Sequence, residues 1–293
     1  METDELEAAL REFESALELD PQVAFAYSRI GRIYRRRGEY EEALPNFEKA
    51  VSLDPSNFEY ALDLAEVQYL LKEIPQAIRG YLHACDLNPN HFESHLNLGV
   101  CYHRMGQLDQ AGEFYQQALE IDPDSAYGYS NLGAVYDSQA KYYEAIRSYK
   151  ASLERDRNQP MVLVNLGTTY IKQGRFKIAR VTLARAVEMD PTLAVPHERL
   201  GYALFRLGMY EEAIESYKRA LALDDEMADA YAGLGVVYMY EFLFEKEEPE
   251  FRRIALEKWH RALEVNPRLG KIRKLVEKYN VVTEDPHEVL SDR

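Results

Sequence analysis

Apolar and small residues recur along this chain at intervals of 34 residues. In the first interval Tyr27, Ile30, Gly31 and Tyr34 follow the i, i+3, i+4, i+7 spacing that places side chains on one face of an α-helix. Gly38 suits the end of that helix. A second helix then presents an apolar side made of Ala43, Phe47, Ala50 and Val51. The pattern predicts one pair of packed helices in each interval.

Three further rows of residues keep the same period. A row of small residues on the first helices contains Gly31, Ala65, Gly99, Gly133, Gly167, Gly201 and Gly235. A row on the second helices contains Ala43, Ala77, Ala111, Ala145, Ala179 and Ala213. An aromatic row follows it, with one leucine: Phe47, Tyr81, Tyr115, Tyr149, Leu183 and Tyr217. Because neither helix buries its apolar face alone, neighbouring pairs must stack into a solenoid.

The pattern resembles the tetratricopeptide repeat (TPR) family. In one unit the matching residues are Tyr27, Ile30, Gly31, Tyr34, Gly38, Ala43, Phe47, Ala50 and Pro55. The resemblance covers roughly residues 1–267. It implies an all-α fold, a right-handed superhelical solenoid of antiparallel helix pairs.

The repeat predicts one solenoid domain over residues 1–280. It consists of a half-repeat at 1–20 and seven full repeats that begin at residues 24, 58, 92, 126, 160, 194 and 228. In the last repeat eight extra residues fall near 241–250, where we expect an extended first helix and an acidic corner broken near Pro249. We expect a capping helix at 268–280 and a flexible tail at 281–293. The half-repeat leaves two alternatives, a natural start or a piece of a longer protein.

Three asparagines occupy one position of the repeat: Asn97, Asn131 and Asn165. They lie on the first helices, opposite the apolar face, where packing does not require an amide and where Asn is a mediocre helix former. They are either solvated positions inherited by duplication or a ladder that binds a peptide backbone, since an amide both donates and accepts hydrogen bonds. The trio resembles the asparagine ladder of the O-GlcNAc transferase repeats. That resemblance implies a concave groove lined by the first helices.

The same face is relatively basic within an acidic chain, whose 35 Lys and Arg against 50 Asp and Glu give a net charge of −15. We expect the peptide-binding residues to be the three asparagines together with Arg29, Arg32, Arg36, Arg104, Lys172, Arg199, Tyr202 and Arg206. Asp63 and Glu66 are the acids in these rows. The predicted guest is an extended, acidic segment of a partner protein. For Arg35 and Arg37 the alternative is a favourable cationic helix end.

Composition disfavours other classes of partner and compartment. Net negative charge opposes nonspecific binding to nucleic acid or to an anionic membrane. The chain shows no signal peptide and no apolar run long enough to cross a bilayer, so no membrane insertion is expected. Two cysteines are too few for a disulfide framework. We therefore expect a cytoplasmic protein.

No motif for catalysis stands out. Cys85, Cys101 and several histidines cluster in sequence, but His95 shares a row with Tyr27 and is expected to fill a packing position. A zinc site needs ligands that converge tetrahedrally. No phosphate-binding loop, HExxH motif or nucleophile elbow is present. We expect no catalytic residues, no metal and no cofactor.

The function favoured by the sequence is a noncatalytic adaptor that binds a partner's peptide segment in its groove. One alternative is the substrate-recognition arm of a larger enzyme, such as a glycosyltransferase, suggested by the half-repeat. Another is a self-assembling scaffold that stacks through the half-repeat. For that alternative the exposed apolar residues are expected to be Leu6, Leu10, Phe13 and Leu17.

Overall fold

A computed structural model of the protein describes residues 2–246 and 248–280, without the side chains of residues 2–4 and 245–246. Its regular elements in those ranges are helical. In chain order they are α1 (Glu2–Leu19), α2 (Ala24–Arg37), α3 (Tyr40–Leu53), α4 (Phe58–Leu70), α5 (Ile74–Leu87), α6 (Phe92–Arg104), α7 (Leu108–Ile121), α8 (Ala126–Ser138), α9 (Tyr142–Arg155), α10 (Pro160–Lys172), α11 (Phe176–Met189), α12 (Ala194–Arg206), α13 (Tyr210–Leu223), α14 (Ala228–Glu241), a π-helical turn (Phe242–Lys246), α15 (Pro249–Val265) and α16 (Gly270–Tyr279).

The helices from α2 to α15 form consecutive pairs. The first helix of each pair begins at residue 24, 58, 92, 126, 160, 194 or 228, the positions that the 34-residue spacing predicts. Each first helix packs on the second helix that follows it, and each second helix packs on the next pair within the same unit. The prediction of an all-α solenoid of helix pairs is confirmed.

The pairs form two compact units, divided after Arg155. Unit 1 contains α1 to α9, and unit 2 begins with α10. In unit 1, α2 contacts α4 and α6 contacts α8; in unit 2, α12 contacts both α10 and α14. First helices therefore line the inner face of each unit, and second helices form its outer face. A single solenoid domain over 1–280 stays a prediction.

The close approach of the paired helices requires the glycine row. A Cβ atom at Gly99 would lie 2.7 Å from the ring of Tyr115, and a Cβ atom at Gly133 would lie 2.7 Å from the ring of Tyr149. Both rings are fully buried. Real Cβ atoms do not approach other atoms so closely, so any larger residue would push the two helices apart.

The repeat that begins at residue 58 shows how the chain tolerates an alanine in this row. A Cβ atom at Gly80, on α5, would lie 2.8 Å from the Cβ atom of Ala65 on α4. The methyl group added at residue 65 therefore occupies the space left by the glycine at residue 80. This repeat therefore keeps the close approach of its two helices with a methyl group at residue 65 on α4 and none at residue 80 on α5.

The turn between the paired helices places one residue in the left-handed conformation. Gly38 adopts φ 78° and caps α2 through its backbone N–H. At the equivalent position Lys72 and Ala140 adopt φ 63° and 57°. This conformation costs a residue with a side chain roughly 1–2 kcal/mol, so the packing of the pair imposes the turn on these two residues.

The half-repeat α1 covers the first complete pair. Leu10 is buried against Ile30 and Ile33 of α2, and Leu6 and Phe13 pack half-buried beside it. The expectation that Leu6, Leu10, Phe13 and Leu17 form an exposed stacking face is therefore wrong. These side chains supply the apolar surface that α2 needs on its N-terminal side.

At the other end, the π-helical turn continues α14, and α15 starts at Pro249. Pro is favourable at the first helical position because its missing N–H has no helical partner there. The helix α16 buries Ile272, Val276 and Tyr279, and Arg252 donates to the Tyr279 carbonyl at 2.8 Å. The predicted tail at 281–293 lies outside the described residues. None of the described helices is long and apolar enough to cross a membrane.

Gly80→Ala is expected to destabilise unit 1 by about 1–3 kcal/mol, because the new methyl group meets Ala65. In an Ala65→Gly background the same substitution should cost less, since the nearest atom, the Ala65 Cβ at 2.8 Å, is gone and the Cα atom of residue 65 remains at 3.1 Å. Urea denaturation of the four proteins measures this coupling. The control is Gly112→Ala on α7, where the Cβ atom would make an ordinary contact at 3.6 Å from Val135. Equal costs of Gly80→Ala in both backgrounds would contradict the methyl exchange.

Candidate functional site

All the predicted site residues lie on first helices, but the structure does not gather them into one cluster. Arg29, Arg32 and Arg36 meet at one pocket beside α1. Asn97 and Arg104 lie on α6 and Asn131 lies on α8, also in unit 1. The unit 2 residues lie on α10 and α12: Asn165, Lys172, Arg199, Tyr202 and Arg206.

The Phe25 pocket, between α1 and α2, has a volume of about 440 Å³. It is lined by Leu6, Ala9, Phe13, Phe25, Arg29, Arg32, Ile33 and Arg36. Phe25 is 49% exposed, and the Arg29 guanidinium lies 4.7 Å from the centre of its ring, a cation–π arrangement. A neighbouring pocket of about 620 Å³ shares Phe25, Arg29 and Arg32 and extends to α4. The inner face of unit 1 thus combines an apolar wall with guanidinium groups.

Arg32 and Arg35 are engaged by acids of the next repeat. Arg32 Nε lies 2.5 Å from Asp63 Oδ2, and Arg32 Nη2 lies 2.8 Å from Glu59 Oε2. Arg35 Nη1 pairs with Asp63 Oδ1 at 2.9 Å and also with Glu66. Asp63 and Glu59 therefore compensate the charge of Arg32, one of the predicted binding residues.

These ion pairs join α2 to α4. Asp63 is 5% exposed, and a buried carboxylate is stable only with charged or hydrogen-bonding partners. Arg37 pairs with Glu7 of α1 at 3.0 Å. Arg35 and Arg37 thus join neighbouring helices and do more than provide a cationic helix end. Arg29 and Arg36 keep exposed side chains on this face.

Two of the asparagines are partly buried between repeats. Burial raises the pKa of the Tyr81 hydroxyl on α5, and a hydrogen bond with the Asn97 side chain acts in the opposite direction. The Asn97 side chain therefore lies near the Tyr81 hydroxyl of the preceding repeat. Asn131 is half-buried, and its Nδ2 atom is buried with no hydrogen-bond partner among the described residues.

The sequence contains a signal for the proximity of Tyr81 and Asn97, a fixed spacing between the aromatic row and the next first helix. Asparagine follows the tyrosine of the aromatic row after 16 residues in three cases: Tyr81–Asn97, Tyr115–Asn131 and Tyr149–Asn165. Phe47 and Leu183, which lack a hydroxyl group, are followed by Asp63 and Arg199. Tyr217 is followed by Gly233, where a Cβ atom would lie 2.6 Å from the tyrosine hydroxyl. At Tyr81 and at Tyr217 the tyrosine hydroxyl thus lies beside the residue 16 positions later.

In unit 2, Arg199 is also paired. Its Nε atom lies 3.1 Å from Glu198 Oε2. Glu198 is 5% exposed, and burial raises the pKa of its carboxyl to about 7, although Arg199 opposes the rise. Arg199, another of the predicted binding residues, thus has an acidic partner on its own helix.

Other cations of the set stack on aromatic rings. The Arg206 guanidinium lies 4.2 Å from the ring centre of Phe176 and donates to the Tyr202 hydroxyl at 3.0 Å. Arg104 lies 4.6 Å from the ring centre of Tyr69. Stacking orients a guanidinium without neutralising it. Asn165 and Lys172 are exposed in unit 2.

The histidines serve helix packing and capping. His95 is 8% exposed; its Nε2 lies 2.9 Å from the Pro89 carbonyl oxygen, and its Nδ1 lies 3.1 Å from Gln117 Oε1. His91 accepts the Ser94 N–H at the start of α6. Over residues 2–246 and 248–280, no three His, Cys, Asp or Glu side chains are grouped as ligands for a metal ion.

Asn97→Ala is expected to destabilise unit 1 by about 1 kcal/mol relative to Asn165→Ala, because only Asn97 loses a hydrogen bond of this kind. Asn165→Ala is the matched control, since it changes helix propensity equally at an exposed position. In a Tyr81→Phe background, the difference should fall close to zero. Urea denaturation measures all of these variants. A difference that persists without the Tyr81 hydroxyl would contradict the assignment.

Glu198 is expected to make unit 2 less stable as pH rises. Its pKa is about 7 in the folded protein and near 4.5 when unfolded, so the folded state holds the extra proton between these values. The associated stability is present below pH 4.5 and lost as pH rises through 7, up to roughly 3 kcal/mol. Glu198→Gln should therefore raise the melting temperature at pH 8 and not at pH 5. Exposed Glu215→Gln is the control; equal effects of both variants would contradict the assignment.

Solved structures of repeat proteins match this fold. A TPR protein from Parabacteroides merdae ATCC 43184 gives a TM-score of 0.66 at 14% identity, over 92% of this chain and 100% of that one. The APC/C hetero-tetramer Cut9-Hcn1 gives 0.65 at 18% identity, over 92% of this chain and 52% of that one. This chain thus spans about half the length of that match. YrrB, described as a TPR protein with an unusual peptide-binding site, gives 0.53 at 26% identity, over 67% of this chain and 97% of that one.

The comparisons settle the family. No curated protein sequence matches closely enough to count as a relative. The structural matches show a TPR fold. The sequence profile of the cilia and flagella-associated protein 70 C-terminal domain matches residues 1–234. This chain therefore belongs to the TPR family of the cilia and flagella-associated protein 70 C-terminal domain.

Proposed function

We propose that the protein is a noncatalytic scaffold whose unit 1 binds an extended, acidic segment of a partner protein on its inner face. The Phe25 pocket carries this proposal, because it places an apolar cavity beside the exposed side chains of Arg29 and Arg36. TPR relatives that bind peptides give it a precedent, since YrrB is described as having a peptide-binding site.

The pocket suits one apolar side chain flanked by carboxylates. Burying a leucine-sized side chain against Leu6, Phe13 and Phe25 would contribute about 1.5–3 kcal/mol. A guanidinium group donates two parallel hydrogen bonds to a carboxylate, so Arg29 and Arg36 favour Asp or Glu beside the anchor. Arg32 is neutralised by Asp63 and Glu59, so we assign it to shaping the pocket.

The amides and the remaining cations extend the proposed surface. In unit 1, the unpartnered Nδ2 of Asn131 would donate to a peptide carbonyl once the side chain turns outward, with Asn97 and Arg104 on the neighbouring helix. In unit 2, we propose a separate contact surface made of Asn165, Lys172, Arg199, Tyr202 and Arg206. We propose the cytoplasm as the location of the protein, as expected from the sequence. The family name also suggests a cilium or flagellum.

The test uses a labelled peptide with one leucine among Asp and Glu residues, titrated by fluorescence anisotropy. Arg29→Glu with Arg36→Glu is expected to weaken binding at least about tenfold, because both guanidinium groups face the guest. Arg79→Glu with Arg147→Glu is the matched control on the outer face of unit 1, where both side chains are exposed. It changes the net charge equally and should leave affinity within about twofold.

Replacing the leucine of the peptide by serine separates the pocket from the charges. We expect the serine peptide to bind the wild type more weakly than the leucine peptide does. The loss should be smaller for Phe25→Ala, which has already lost a wall of the pocket. Equal weakening by the inner-face and outer-face charge reversals would reduce the interaction to net charge and would contradict the site. Absence of binding to the wild type would refute the proposal.

A further inference from the structure

The outer face of α11 (Phe176–Met189) departs from that of the other second helices. Its exposed side chains are Lys177, Ile178, Arg180, Val181 and Arg185, with one acid, Glu188, near the C-terminal end of the helix. At the repeat positions of Lys177 and Ile178, the other second helices of the regular repeats mostly carry acids: Glu41, Asp109 and Glu211 at the first, and Glu42, Glu144 and Glu212 at the second. At these positions α11 has a cation and an apolar residue where most second helices have an acid; α5, with Pro75 and Gln76, has neither an acid nor a cation there.

The stability of α11 does not explain why cationic and apolar residues stand where most second helices have acids. The helix follows Arg175 and has Lys177 but no acid in its first turn, whereas α3, α7, α9 and α13 each have one or two. Cations near a helix N-terminus oppose the helix dipole, at a cost of about 0.3–1 kcal/mol each. Within the described part of the chain, Lys177, Arg180 and Arg185 form no ion pair that would offset it.

The apolar residues of this face are also unusually exposed. Val181 is 61% exposed and Ile178 is 39% exposed, three residues apart on the same side of the helix. Arg180 stands where other repeats place a buried or half-buried aliphatic residue, namely Leu44, Ile78, Ile146 and Ile214. The result is a narrow aliphatic ridge, Ile178 and Val181, bordered by Lys177, Arg180 and Arg185.

We propose that this α11 ridge is a docking surface for an acidic, amphipathic helix of a partner protein. The side chains along one helix form a ridge that fits the groove of a second helix. Glu or Asp beside the apolar stripe of that helix would pair with Lys177, Arg180 and Arg185, three cations without partners in the described structure. A net charge of −15 opposes docking on an anionic membrane. The surface is on the outer face of unit 2 and is independent of the Phe25 pocket.

The experiment measures binding of a labelled helical peptide of about 18 residues, with Leu at i, i+3, i+4 and i+7 and Glu on the remaining face. A peptide of the same composition in scrambled order tests the need for an amphipathic helix. Vesicles of phosphatidylcholine and phosphatidylserine test the membrane alternative. Lys177→Glu with Arg180→Glu removes the cationic border, and Lys177→Glu restores the residue type found in other repeats, so folding should be retained.

The matched control is Lys218→Glu with Arg219→Glu on the outer face of α13, where both side chains are exposed. We expect the α11 reversal to weaken binding of the amphipathic peptide about tenfold or more, and the α13 reversal to change it less than about twofold. Val181→Ser should weaken it severalfold, and Arg29→Glu with Arg36→Glu should have no effect. Equal binding by the α11 variant, equal binding of the scrambled peptide, or binding to vesicles and not to the peptide would each overturn the proposal.

Discussion

The approach of each first helix to a buried side chain on its second helix is the contact on which the repeat depends. The glycines at 99 and 133 leave room for tyrosine rings that are fully buried, and α4 achieves the same approach by moving a methyl group from residue 80 to residue 65. Because this contact fixes the helix pair, it also fixes which side chains reach the neighbouring repeat. At Tyr81 the hydroxyl then lies near the residue 16 positions later, the Asn97 amide.

The inner face therefore serves stability and recognition together. Between α2 and α4, Asp63 and Glu59 take up the charge of Arg32, and in unit 2 Glu198 takes up that of Arg199. The pairs between α2 and α4 hold these two first helices at a defined distance, at the cost of burying Asp63. The cations that remain exposed or stacked on rings, Arg29 above all, supply the attraction for an acidic guest. The number of Lys and Arg residues counted on this face in the sequence therefore overstates its attraction for an acidic peptide.

The helix pairs and their first residues were predictable, because packing imposes a strict 34-residue period on small and aromatic side chains. The ion pairs were not predicted, since they join residues 27 to 31 positions apart, and this depends on how far one repeat is rotated on the next. The exposure of the half-repeat was misjudged for a similar reason: it depends on how α1 packs on α2, where Leu10 is buried against Ile30 and Ile33. The spacing between Tyr81 and Asn97 was visible in the sequence, but its meaning became clear only when the structure placed the two side chains near each other.

The most direct test of a recognition site on the inner face of unit 1 is a methyl NMR titration of the complete chain with the acidic, leucine-containing peptide. We expect the largest chemical-shift changes at the methyl groups of Leu6, Ala9 and Ile33, which line the Phe25 pocket. Ile146, on α9, should keep its position throughout the titration. Changes confined to second helices, or spread evenly over the methyl groups of both units, would contradict a site built by α1 and α2.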